Sequence, residues 1–199
     1  MKVTEAKKIT DSLTRTSKMP GLSYSLPAWA CQTGAKLRKV KTSPCFGCYA
    51  LKNNYTRYPA IKEAQYRRLD AIKHPLWVDA MVAQIKRQKW FRWHDAGDVQ
   101  SHEHMAKIIQ VAKLTPDTKH WMPTQERQYL PDPEEVPANL IIRLSAARVD
   151  GTAGNAWSHS STVVTDGSAS CPAPNQGGKC KDCRACWNKD IKNVSYGKH

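Results

Sequence analysis

The sequence has no apolar run approaching the ~20 residues that a membrane-spanning helix requires, so no membrane association is expected. Its opening, MKVTEAKKITDSLTR, has no apolar stretch behind its lysines, as a secretory leader would. A cytoplasmic protein is the expectation. Acidic residues are scarce at first: residues 1–92 hold 19 Lys/Arg against 5 Asp/Glu, whereas residues 93–199 hold 12 of each. The whole formal net charge of +14 therefore sits in the first half. A basic half attracts polyanions, which makes nucleic acid a candidate partner through residues 1–92. There is no internal repeat and no low-complexity tract. A length of 199 residues fits a single domain over 1–199, with residues 167–199 as a cysteine-rich C-terminal segment.

Cysteine is what the chain does have. The count of seven is odd, so any internal disulfide scheme leaves one thiol over, and disulfide frameworks belong mostly to exported chains. Clustered thiols in a reducing cell more often hold metal. Cys45 and Cys48 form one CxxC pair in CFGC, with Cys31 upstream. Cys180, Cys183 and Cys186 form CxxCxxC, preceded by Cys171 and its following Pro172. Three cysteines in step, with a separate Cys-Pro, are the parts of a ferredoxin-type [4Fe–4S] site, though in inverted order. Zinc, which is usually held by paired cysteines or Cys/His mixtures, is the alternative. Two fully thiolate-ligated cubes need eight cysteines. Seven imply one cluster with spare thiols, or two clusters of which one lacks a protein thiolate. Cys31, Cys45 and Cys48 are the natural three, with His94 or Asp95 as a candidate fourth partner.

Local pattern predicts alternating strands and helices. Strands are expected over 22–28, from 89 to about 94, and over 118–125, 139–147 and 160–166. Helices are expected over 58–73, with Ile61, Gln65, Arg68 and Ile72 on one face; from Pro75, with Trp77, Met81 and Ile85; and after Ser101 as cap, with Met105, Ile108, Ile109 and Ala112 inward. Asp132, Pro133 and Glu135 predict a further short helix. This is an α/β pattern, read as a partial or open parallel βα barrel of about five strands. Ligands in such folds gather at the carboxyl ends of the strands, so both cysteine-rich loops are expected there. So is HDAGD, where His94, Asp95 and Asp98 are candidates for binding or orienting a cofactor. Arg143 and Arg148 are candidates for an anionic group.

Four stretches, LSYSLPAWAC, CFGCYA, RWHDAGDVQS and CPAPNQGGKCKDCRACW, resemble in order the bacteriophage gene product 88 family, over residues 22–187. The resemblance implies a phage-encoded protein acting in the host bacterial cytoplasm and binding iron–sulfur clusters. A looser likeness is to radical S-adenosylmethionine enzymes, which share a partial barrel with three cluster cysteines after the first strand. The 13 residues between Cys31 and Cys45 and the lack of a Gly-Gly-Glu stretch depart from that pattern. Three functions follow as expectations: an iron–sulfur protein with a redox or cluster-based role, acting with a redox partner or a small-molecule substrate; a zinc-stabilised nucleic-acid-binding module; or a phage component that uses metal only to fold.

Overall fold

A computed structural model describes residues 1–52 and 54–198. The expected domain over 1–199 and segment over 167–199 thus include positions 53 and 199, which lie outside the described residues. The strands are β1 (Leu22–Tyr24), β2 (Trp90–Trp93), β3 (Lys119–Thr124), β4 (Leu140–Ser145), β5 (Ser160–Val164) and β6 (Asn193–Gly197). They form one open, all-parallel sheet in the order β1-β2-β3-β4-β5-β6. The helices are α1 (Val3–Thr10), α2 (Gln32–Leu37), α3 (Asn54–Arg57), α4 (Pro59–Ala71), α5 (Trp77–Ile85) and α6 (His102–Lys113). None is long and apolar enough to cross a membrane.

Successive strand residues face opposite sides of a sheet. One side presents Tyr24, Phe91, Trp93, Met122, Leu140 and Ile142, which share a buried core with Ile72, Trp77, Met81, Ile85, Met105, Ile108 and Ala112 from the helical connections. Trp77, Met81 and Ile85 recur every four residues, and all three are fully buried in α5. Ser101 caps α6 by accepting the His104 N–H at 3.1 Å. Trp77 stacks on Trp93 with ring centroids 6.1 Å apart; such pairs add about 0.5–1.5 kcal/mol beyond their buried area.

Four expectations change. The strands number six, because β6 follows the cysteine-rich segment. Asp132, Pro133 and Glu135 make only a single 3-10 turn, in which the Asp132 side chain caps nothing. Ile61 on α4 is exposed, while Gln65, Arg68 and Ala71 form its buried face. Arg68 is accepted there because it donates to Ser25 Oγ and to the Ser12 carbonyl, both at 2.6 Å.

The fourth change concerns the terminal cysteines. Because β6 runs parallel to β5, the chain leaving Val164 must travel back to the amino end before Asn193. Residues 165–192 are that return crossover, rather than a loop at the carboxyl ends. They lie on the side of the sheet away from the helices. There Trp187 packs against Trp90 and Trp121 and donates to the Phe91 carbonyl at 2.9 Å. This crossover therefore has the opposite hand to the helical ones before it, an uncommon arrangement that needs strong local anchoring. Arg143 supplies it. Fully buried, its guanidinium donates to the carbonyls of Cys186, Ser160, Lys192, Ala185 and Asn188 at 3.0–3.3 Å. The anionic partner expected for Arg143 is replaced by backbone. Arg148 donates to Thr42 Oγ1 at 2.6 Å.

Candidate functional site

Beyond β2 the chain must turn away from the sheet. Pro123 in β3 has no N–H to offer and lies past the last β2–β3 pair, Arg92↔Trp121, so the two strands part there. HDAGD enters at that point. His94 sits in the left-handed region at φ 52° and donates its N–H to the Tyr24 carbonyl at 2.9 Å. Gly97, at φ 76°, passes so close to β1's continuation that a Cβ would stand 2.6–2.8 Å from Leu26 Cβ, C and O. Only glycine fits both demands. Gly97→Ala is expected to cost about 3 kcal/mol or more, from left-handed strain plus overpacking. The urea unfolding midpoint measures this.

The turn delivers Asp98 into the gap between β2 and β3. Its carboxylate accepts the Val99 N–H at 2.8 Å, the Thr124 hydroxyl at 2.7 Å and the Gln125 N–H at 2.8 Å. Burial pushes this carboxyl up to about 7, against the pull of those hydrogen bonds. The same anchoring fixes Glu126, also fully buried. One Glu126 oxygen accepts the N–H groups of Gln32 and Thr33 at 2.9 and 2.8 Å, and the other accepts the Thr33 hydroxyl at 2.6 Å. These N–H groups are among those that the first turn of α2 leaves without helical partners. A chain of contacts thus runs from Asp98 through Thr124–Glu126 to the residues directly after Cys31.

Cys31, Cys45 and Cys48 gather above this frame. A Cβ on Gly34 would stand 2.9 Å from Cys31 Cβ, so glycine lets α2 lie close against Cys31, with the Cys31 and Cys45 sulfurs 3.7 and 3.9 Å from the same point. Burial pushes the Cys31 thiol up first, and the nearby Asp98, Cys48, Cys45 and Glu126 add to it. Cys45 is raised to about 11 by burial and then by Cys48. The terminal four form a second set. Cys180 is raised by burial and then by Cys171 and Cys183, and Cys186 is raised to about 11 chiefly by burial, with Cys171 adding to it. All seven cysteines are free and partly exposed. The fold therefore sorts them three and four, one set at the carboxyl ends of the strands and one across the far side of the sheet. Among the described residues, no group of three or more His, Cys, Asp or Glu side chains is placed to hold a metal ion.

The other two HDAGD candidates go elsewhere. Asp95 is buried; its Oδ2 accepts the Tyr55 hydroxyl at 2.9 Å, its carbonyl accepts the Tyr49 hydroxyl, and its Oδ1 has no partner. His94 packs against Trp93 and His104, ring centroids 6.3 and 5.5 Å away, with neither ring nitrogen partnered. Desolvation lowers it to about 3. Two residues are not marked by any sequence motif: Gly34, whose missing Cβ spares Cys31 Cβ, and Glu126, which anchors the Cys31 segment. Glu126 carries no local signal, because its partners lie 93 and 94 residues away.

A family model described as Gene product 88 matches residues 1–189. No curated protein and no solved structure matches the chain. With the match extending on both sides of the four motifs that suggested it, the chain belongs to the bacteriophage gene product 88 family.

Proposed function

We propose that this phage protein is a [4Fe–4S] protein whose sheet is the wall of a partial barrel. Cys171, Cys180, Cys183 and Cys186 would hold one cluster, and Cys31, Cys45 and Cys48 a second. The observation that carries the reading is the sorting of seven free thiols into a set of four and a set of three. The donor set fits: each group is thiols alone, and burial with neighbouring sulfurs raises several of them, a state that a bound cationic metal reverses. A tetrahedral zinc site draws its sulfurs to within about 3.8 Å of one another around a single ion. In a cube each thiolate meets its own iron at a separate corner.

When bound, such clusters supply one-electron transfer, and the three-thiolate one also leaves an iron open to a substrate or water. The chain's own part is positioning. Glu126 and Asp98 hold the Cys31 segment rigid, and Arg143 holds the Cys186 segment. A redox or cluster-based role in the host cytoplasm follows, with a redox partner or a small-molecule substrate at the open iron.

Anaerobic purification with iron, sulfide and zinc quantification tests this. About eight irons and eight sulfides per chain are expected. Cys45→Ser and Cys183→Ser should each remove about four irons and leave the other set loaded. Colourless protein with stoichiometric zinc after iron-replete expression would sink the reading.

A further inference from the structure

The loops around Cys31, Cys45 and Cys48 carry a second pattern that does not involve the thiols. Residues 29–52 hold five Lys/Arg and three aromatics but no Asp or Glu. Lys36, Lys39, Lys41 and Lys52 are exposed, and Arg38 is partly so. Among the described residues, none of the five forms an ion pair. The aromatics also face outward: Trp29 is 55% exposed, and Phe46 and Tyr49 are 49% exposed each. Large rings are usually buried, and several exposed together mark a contact surface.

Folding gathers these residues into one loop cluster. Trp29 lies two residues before Cys31, Phe46 directly after Cys45 and Tyr49 directly after Cys48. Ala28 and Ala50 pack together, with Cys31 and Cys48 against them. Arg38 holds its Cζ 4.9 Å from the centre of the Trp29 ring. Lys52 Nζ lies 3.7 Å from the point where a Cβ on Gly47, the neighbour of Phe46, would stand. Thr42 ties the cluster to the connection between β4 and β5. Its carbonyl accepts the Val149 N–H at 2.7 Å, and its hydroxyl accepts from the exposed Arg148. The neighbouring acids are turned away or engaged. Asp95, Asp98 and Glu126 are buried; Asp98 and Glu126 accept the hydrogen bonds described above, and Asp95 accepts from Tyr55. Asp150 is exposed but accepts the Thr165 N–H and hydroxyl.

We propose that this loop cluster binds single-stranded nucleic acid, with Trp29 and Phe46 as platforms for bases and Lys36, Lys39, Lys41 and Lys52 along the phosphates. Unpaired cations call for a polyanion. Exposed rings call for flat apolar partners at the same place, and every base has such a face. A duplex keeps its bases inside the stack, so the polyanion that offers both at once is a single strand. Tyr49 is held by its hydroxyl to the Asp95 carbonyl, which leaves Trp29 and Phe46 to meet the bases. The basic first half thereby narrows to residues 29–52. The inference does not rest on the iron–sulfur reading, because it uses the side chains beside the thiols and not the thiols.

The test is fluorescence anisotropy of labelled oligo-dT and oligo-rU of about 15 nucleotides, titrated with the full-length protein. Binding in either arm is expected, weakening on the order of 100-fold between about 50 and 300 mM salt if about four phosphates are neutralised. The tighter arm identifies the sugar that the surface takes. Trp29→Ala and Phe46→Ala should each weaken binding about 5-fold or more and leave the salt slope unchanged. Lys39→Gln combined with Lys41→Gln should lower that slope by about 1.4, whereas Lys7→Gln with Lys8→Gln, on α1, should change neither slope nor affinity. If an alanine variant fails to fold, Trp29→Leu or Phe46→Leu removes the ring, keeps apolar bulk and carries the comparison. No binding of either oligonucleotide at the lower salt overturns the proposal. So does heparin binding as tightly as the oligonucleotides with both ring variants unchanged, which would make the cluster a general polyanion surface. Iron is counted separately, so colourless protein that binds oligonucleotides would sink the cluster reading and leave this one standing.

Discussion

Replacing Arg143 by methionine is expected to free the cysteine-rich crossover while leaving the helical side of the sheet folded. Arg143 ties residues 185–192 to both β4 and β5. Of the five carbonyls it serves, four belong to that stretch and one to Ser160. Methionine fills similar space but supplies no donor, so five acceptors lose one partner, while the Ala185, Asn188 and Lys192 carbonyls each keep a backbone N–H. Each buried acceptor left unsatisfied costs about 1–3 kcal/mol. Partial relaxation of the stretch makes a total of about 3–5 kcal/mol reasonable, the range for breaking a buried charge interaction. Lysine should do almost as badly. A single ammonium with three donors cannot replace a planar fork that reaches carbonyls on both sides.

Limited trypsin digestion checks this, because the crossover carries Lys179, Lys181, Arg184, Lys189 and Lys192. The expected result is rapid cleavage there in both variants, with residues 1–164 surviving. Equal resistance in wild type and Arg143→Met would mean that Trp187, wedged between Trp90 and Trp121, holds the crossover without the arginine.

What the sequence revealed of this architecture divides along a physical line. Periodicity reports burial on one face, so β2 to β5, α5 and α6 were legible wherever an apolar stripe meets the helical core. The sixth strand, NVSYG, is short and mostly polar; it becomes a strand only because β5 offers it an edge, and no local pattern carries that information. Missing it displaced the cysteine-rich stretch, which read as a terminal appendage and is a crossover. The thiols were legible as two groups by spacing, and the fold keeps that division. That one set lies at the carboxyl ends of the strands and the other in the return crossover was not legible, since it depends on β6. HDAGD read correctly as a strand-end turn that needs Gly97. By sequence Asp95 is the better functional candidate and Asp98 the one that reads as a turn or cap residue, yet Asp98 supports the Cys31 segment through Thr124 and Glu126, while Asp95 is taken up by Tyr49 and Tyr55. Such assignments depend on partners tens of residues away. Arg143 and His94 show the same limit. An arginine in a strand suggests an anionic ligand, and a histidine at a strand end suggests either a structural residue or a metal ligand; the sequence does not show the carbonyls around Arg143 or the rings around His94.

His94 belongs to a group with its own consequence. His94, His104 and His120 are all buried against Trp77, Trp93 and Phe91. Desolvation lowers His94 to about 3 and His120 to about 4, and it carries His104 well below its ordinary value. In the unfolded chain each titrates near 6.5. The folded state therefore binds fewer protons than the unfolded state over the whole interval from about 6.5 down to 3–4. The stability that the neutral rings contribute is fully present above 6.5 and is lost as the pH falls through that window. At pH 5 the loss is about 2 kcal/mol for His94 and about the same for His120, and His104 adds to it in the same direction.

Asp98 works in the opposite sense. Its carboxyl, raised to about 7, takes a proton in the folded state before the unfolded one does, which returns about 2–3 kcal/mol at pH 5. Three histidines against one carboxyl leave a net loss of stability between pH 7.5 and pH 5. Urea unfolding at the two pH values measures it, and a fall in midpoint at constant m is the expected form. His94→Asn isolates the cause, because asparagine tolerates a left-handed backbone and does not titrate. The variant should be less stable than wild type at pH 7.5, having lost packing against Trp93 and His104, but its stability should fall about 2 kcal/mol less on acidification. An equal fall in both proteins would show that the acid sensitivity arises outside the histidine group.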